Sequence, residues 1–205
     1  MLIADSAAVL ATLLAFVTLV PQVMKLWNTR NADGVSTTWA SLGMVSNAAW
    51  TAYLYSQDLW LALPSTTSMV LFYTLTIGLI AWTGRPIARA VMLGSSWALI
   101  LTLVGVIGGW AGLGVLLGVS FGVQATPSLW TAFRTWAPKG ISPGTWQLTL
   151  VEGLLWLVYG AAYSDRAIVM FGILSSAASS LMVARYYMTR RRWLEPAHAR
   201  SLRSP

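Results

Sequence analysis

Seven apolar stretches follow one another along this chain, separated by connectors too short to hold a soluble domain. They are drawn at 5–27, 38–56, 60–82, 89–107, 111–134, 144–163 and 167–187. A helix that crosses a bilayer needs about 20 predominantly apolar residues. Inside hydrocarbon the backbone must satisfy its own hydrogen bonds, which a helix does within a single segment. Only 9% of the 205 residues are charged, against about 25% in an ordinary soluble domain. The expected class is therefore an all-α integral membrane protein with seven transmembrane helices. The second and sixth stretches are the least apolar. The first lacks the cationic start of a signal peptide and carries Asp5, so it reads as a retained helix.

The charges set an orientation. With the N-terminus outside, the inner loops and ends hold Lys25, Arg30, Arg85, Arg89, Arg134, Lys139, Arg185, Arg190, Arg191, Arg192, Arg200 and Arg203. Arg166 alone falls outside. Such an excess of cations on one side places that side in the cytoplasm and favours an odd number of spans. The net charge of +7 is thus accounted for by topology and anionic lipid, and no nucleic acid is expected. The basic tail, 189–205, is expected to be cytoplasmic and disordered. Trp27, Trp39, Trp60, Trp82, Trp110, Trp136 and Trp146 sit near segment ends, where an interfacial belt is expected. There is no cysteine, and the single histidine, His198, lies in the tail. With no metal cluster, triad or nucleotide loop, neither an enzyme nor a cofactor is expected.

The chain also repeats itself. Shifted by 106 residues, Pro21 meets Pro127, Gly34 meets Gly140, Ser36 meets Ser142, Trp50 meets Trp156 and Tyr53 meets Tyr159. No gap is needed from Pro21 to Tyr53. The plan is a first repeat at 1–87, a linker helix at 88–109 and a second repeat at 110–188. The linker makes the intervening span count odd, so the two repeats run parallel, related by an axis along the membrane normal. Transporters built from repeats bind their substrate near the midplane where the repeats meet.

These residues carry a resemblance. "PQ" at Pro21–Gln22, "DGVS" and "KGIS" after the first and fifth helices, and "NAAWTAY" and "GLLWLVY" on the second and sixth resemble the SWEET sugar transporters and the wider PQ-loop group. The likeness spans about 5–187. It implies two parallel three-helix bundles around a central pathway (a 3-1-3 plan), a mono- or disaccharide as solute, and prolines that act as hinges for alternating access. It also implies a multi-pass protein of the cell membrane. Two complete units in one chain can close a pathway as a monomer, and a homo-oligomer is the other arrangement.

Pro21 and Pro127 lie about sixteen residues into their helices, toward the cytoplasmic end. Each frees a carbonyl and permits a kink, either a hinge or a static bend. Gln22 has Ser128 as its counterpart, so the pair is not symmetric. Trp50 and Trp156 correspond to the paired pocket tryptophans that the resemblance implies, and each follows a polar residue by four, Ser46 and Glu152. At that spacing each pair shares a helix face, and a ring beside hydrogen-bonding groups suits a sugar. The alternative is a bulky packing residue.

Glu152 falls near the bilayer centre with no basic partner in sequence at that depth. Intramembrane acids are functional candidates by default. It is a candidate proton site, a partner for a cationic solute, a hydrogen-bonding group for a neutral one, or a structural acid. Asn47 either lines the pathway or joins helices. Where the resemblance implies an asparagine on the third helix of each unit, the nearest residues are Ser65–Thr66 and Phe171–Gly172. That departure, with Glu152, opens a second reading as a proton-coupled amino-acid carrier, and a third as a non-transporting receptor or assembly factor. Gly105, Gly108, Gly109, Gly112, Gly114, Gly118 and Gly122 are read as sites of close helix packing.

Overall fold

The computed structural model describes residues 1–30, 36–136 and 143–190. The side chains of Thr18, Leu19, Pro21, Gln22, Lys25, Thr29, Pro127 and Thr131 also lie outside the description. The described residues contain helices and no strand. They form α1 (Leu2–Thr29), α2 (Thr37–Ser56), α3 (Leu63–Trp82), α4 (Ala88–Arg134), α5 (Pro143–Ala162) and α6 (Arg166–Thr189). A short 3-10 turn, Trp60–Ala62, leads into α3, whose first turn holds a proline. Proline fits there because its missing N–H would be unpaired anyway.

Each expected segment falls on a helix with small shifts at its ends, except that the fourth and fifth join as α4. That helix has 47 residues, about 70 Å if straight, far more than the ~30 Å hydrocarbon layer. It is broken at Gly109, with φ 62° and ψ −164°. This is a left-handed φ that residues with a Cβ rarely adopt. The chain doubles back there. A Cβ on Gly112 would lie 3.4 Å from the Val104 carbonyl oxygen and one on Gly105 3.9 Å from Leu113. Residues eight apart meet in this way only across a bend. α4 is thus two arms, 88–108 and 110–134, and the described residues form seven helical rods.

Trp60–Trp82, Ala88–Arg134 and Arg166–Thr189 are long and apolar enough to cross a membrane by length and composition alone. α2 and α5 do not reach that level. Ser41, Ser46, Asn47 and Thr51 interrupt the first, and Gln147, Thr149 and Glu152 the second. Most of these residues line the cavity described below, so the lower apolarity belongs to the inner face. Leu71, Leu75, Leu99, Val106, Ile107, Val123, Leu154 and Ile173 stand exposed on the outside of the molecule. Outward apolar side chains of this kind meet lipid. The protein is an integral helical membrane protein.

α3 packs on both α1 and α2, and α6 packs on both α5 and α4. α1 also packs on α5, and α2 on α4. Small residues make these approaches close. Ala4, Ala8, Ala11 and Ala15 of α1, all on one face, are at most 2% exposed. A Cβ on Gly118 would meet the Ala167 carbonyl oxygen at 2.9 Å, and one on Gly160 the Val169 nitrogen at 2.8 Å. The packing reading holds for Gly105, Gly112, Gly114, Gly118 and Gly122, each of which has neighbours within 4 Å. Gly108 and Gly109 are corrections, with nothing that close; Gly109 is kept for its backbone geometry.

One end of the molecule is cationic. Arg30, after α1, lies over Trp82 at the end of α3, 4.4 Å from the ring centroid. Arg134 lies 4.2 Å from the Trp130 centroid. Arg185 of α6 donates from Nε to the Ala132 carbonyl at 3.0 Å and from Nη2 to the Thr135 carbonyl at 2.7 Å, closing the C-terminal end of α4. Backbone around Pro21 and Pro127 is helical. The hinge assignments rest on these two prolines and Gln22, and their side chains lie outside the described residues, as do the "KGIS" loop, most of "DGVS" and the tail from 191 on.

Gly118→Val should lower the thermal midpoint of the detergent-solubilised protein by the equivalent of about 1–3 kcal/mol of overpacking. Gly78→Ala, where a Cβ meets nothing within 4 Å, should leave it level or raise it by up to about 1 kcal/mol. Fluorescence-monitored melts of the two variants check this.

Candidate solute-binding cavity

Side chains from α2, α3, α4, α5 and α6 converge on a cavity of about 230 Å³. This is somewhat below the roughly 300–1,000 Å³ of pockets for drug-sized ligands, so it suits a small solute. Trp50, Trp156, Ser46, Asn47, Glu152, Ser65 and Thr66 all line it. The seven residues singled out for substrate binding therefore come together, from three positions on α2, one pair on α3 and one pair on α5.

The two tryptophans are packed at similar depth in their helices, Trp50 8% and Trp156 6% exposed. Each stands edge-on to a tyrosine one turn later: Trp50 to Tyr53 at 5.7 Å and Trp156 to Tyr159 at 5.9 Å. Their polar companions differ. The Trp156 indole N–H donates to Glu152 Oε1 at 3.4 Å, the i, i+4 contact the spacing predicts. Ser46 Oγ instead accepts from Trp97 Nε1 of the first arm of α4, at 2.9 Å. The linker arm thus holds α2 and leaves α5 without an equivalent partner. Trp97 carried no signal in the repeat because the linker has no counterpart.

Asn47 lines the cavity, and its Nδ2 donates to the Gly43 carbonyl of its own helix at 2.8 Å. Thr51 shares a contact with Thr66 at 2.9 Å between hydroxyls, tying α2 to α3. At the position implied for an asparagine on the third helix of the second unit, Phe171 stands edge-on to Trp50, 5.9 Å between centroids. A ring occupies the place of an amide there, and the hydroxyls of Ser65 and Thr66 occupy it in the first unit.

Ser120, Gln124, Tyr73, Thr149, Phe121 and Trp39 also line the cavity. Ser120 and Gln124 are one turn apart on α4 within a glycine-rich apolar run, and their i, i+4 spacing was the available signal. Trp39, in the first turn of α2 and 44% exposed, also lines the cavity and meets Tyr73 edge-on at 5.0 Å. Tyr73 reaches this position because Gly43 gives it room; a Cβ there would lie 2.7 Å from the ring.

The cavity is shut at the end where α1 begins and α2 and α5 finish. Tyr53 Oη donates to Asp165 Oδ2 at 2.8 Å, and Tyr163 Oη to Asp5 Oδ1 at 2.6 Å. The first contact joins α2 to the start of α6, the second the end of α5 to α1. Asp165 also accepts from the Ile168 backbone N–H at 2.8 Å and so caps α6. Trp50, Trp156, Tyr159, Leu113, Leu117 and Ile168 pack behind these contacts in one buried cluster. Among the described residues, no side chain on the cavity lining is a lysine, arginine or histidine.

Residues 3–63 match the family described as PQ loop repeat. The match runs from α1 through α2 to the 3-10 turn, which includes Pro21–Gln22, Ser46, Asn47 and Trp50. No curated protein matches the chain.

Asp165→Ala should cost about 2–4 kcal/mol, because it removes both a helix cap and the acceptor for Tyr53. Tyr53→Phe should cost less, about 1–2 kcal/mol, since Asp165 keeps its bond to the helix. Thermal midpoints of the two variants in one detergent give the order.

Proposed function

We propose that this protein is a membrane carrier that moves a small polar solute, a mono- or disaccharide, by alternating access between two three-helix units. The observation that carries the reading is the single cavity where Trp50 and Trp156, from equivalent positions of a duplicated sequence, meet hydroxyl and amide groups. Aromatic faces accept the C–H surfaces of a sugar ring, and Ser65, Thr66 and Asn47 supply donors and acceptors for its hydroxyls.

In this reading α1–α3 and the second arm of α4 with α5 and α6 are the two parallel repeats, at 1–87 and 110–188, joined by the linker at 88–109. The contact order supports it, since in each unit the third helix packs on the other two. The N-terminus is outside and the cationic end cytoplasmic, in the cell membrane. Tyr53–Asp165 and Tyr163–Asp5 then cross between the units on the outer side. Holding both closes the outer mouth; breaking them opens it while Pro21 and Pro127 let the inner ends close. One chain supplies both halves of the pathway, so a monomer suffices. No step requires a cofactor, a nucleic acid or enzymatic chemistry.

Glu152 favours a second reading. A half-buried carboxyl on the cavity wall can carry a proton, which makes the protein a proton-coupled carrier of amino acids. A receptor or assembly factor would bind solute at the same place without moving it.

Uptake into proteoliposomes separates the three. Labelled sugars should enter without a proton gradient, and Trp50→Ala or Trp156→Ala should reduce the rate at least ~10-fold, as loss of one stacking partner of more than about 1.4 kcal/mol would do. Gradient-dependent entry of amino acids, lost in Glu152→Gln, would instead establish the coupled carrier. Saturable binding with no flux of either class would leave the receptor.

A further inference from the structure

The geometry points to a sugar that bears an ammonium group, an amino sugar, as the solute this cavity is built to hold. The inference rests on the sugar-carrier reading and narrows it. Among the described residues Glu152 is the one acid on the lining, and they offer it no lysine, arginine or histidine there. Its hydrogen bond among the described residues comes from the Trp156 indole at 3.4 Å, at the long limit for such a contact, and occupies one oxygen. A carboxylate has about four acceptor positions, so most of its capacity faces the cavity. The equivalent residue of the first unit is Ser46, which is already engaged by Trp97. The polarity of the site is therefore one-sided: the α2 side is neutral and hydrogen-bonded, and the α5 side presents an acceptor that has no cation beside it among the described residues.

The walls fit a cationic sugar in three respects. Trp50 and Trp156 give ring faces for C–H surfaces, and an aromatic face close to the acid also attracts an ammonium. Tyr73 lines the same cavity from α3 and adds a ring and a hydroxyl. Ser65 and Gln124 supply groups for sugar hydroxyls away from the acid. An α-amino acid fits less well. Its ammonium would find Glu152, but its carboxylate would find no cationic side chain on the lining. An amino sugar brings the cation without the anion.

Isothermal titration of the full-length protein in nanodiscs with glucosamine, glucose and N-acetylglucosamine tests this, at a pH where the free amine is protonated. Glucosamine should bind at least ~10-fold more tightly than glucose or the acetylated sugar, in which the charge is removed. In Glu152→Gln the ratio of glucosamine to glucose affinity should fall to about one, and Glu152→Asp should retain a preference. If Glu152→Gln does not fold, the three sugars on the unaltered protein still decide. Equal or weaker binding of glucosamine, with glucose bound and transported, overturns the inference and leaves the sugar carrier standing. A glucosamine preference that survives in Glu152→Gln overturns the assignment to Glu152. No binding of any of the three, together with no sugar flux, overturns both.

Discussion

A polar side chain inside a hydrocarbon layer has to face another polar group or a space that admits water, and this requirement organises the whole molecule. α2 and α5 carry Ser41, Ser46, Asn47, Thr51, Thr149 and Glu152 along their length. Neither helix can present that many groups to lipid. The bundle solves the problem by turning most of them inward, where some bond their own helix or a neighbour and the rest line a cavity. The apolar outer surface, the low apolarity of α2 and α5, and the position of the cavity follow from this one arrangement.

Bringing polar faces together demands close approach of helices, and small residues provide it. The alanine face of α1 lets that helix lie against its neighbours α3 and α5. Gly153 and Gly172 do the same between α5 and α6: a Cβ on Gly172 would come within 2.9 Å of the Gly153 carbonyl oxygen. Hydrocarbon supplies no hydrophobic force between helices, so van der Waals contact at these points has to hold them. Ser176 and Ser179 of α6 have buried hydroxyls without a partner among the described residues, a sign that size rather than hydrogen bonding selects small residues here.

Duplication and its loss of symmetry explain the character of the site. The two halves supply Trp50 and Trp156 alike, but the linker arm reaches only the first half, through Trp97 to Ser46. At the closed end, Tyr53 finds Asp165, while the residue equivalent to Asp165 in the first unit is Leu59. Tyr163 and Asp5 make a second contact from unrelated positions. A cavity lined from two related halves thus has its acid on one wall, and its closed end is held by two different bonds.

The sequence alone determined the helical membrane class, the approximate ends of the seven rods, the duplication and seven of the residues that line the cavity. These are set by local rules: span length follows bilayer thickness, and a repeat preserves its register whatever the fold does with it. Tertiary structure decided the rest. That Trp39 also lines the cavity, that Trp97 holds Ser46, that Tyr73 shares the cavity with Glu152 from another helix, and that Tyr53 meets Asp165 more than a hundred residues away all depend on how helices rotate against one another. Rotation about a helix axis is fixed by side-chain packing between distant segments, and an apolar helix in lipid carries almost no periodic pattern to reveal it in advance.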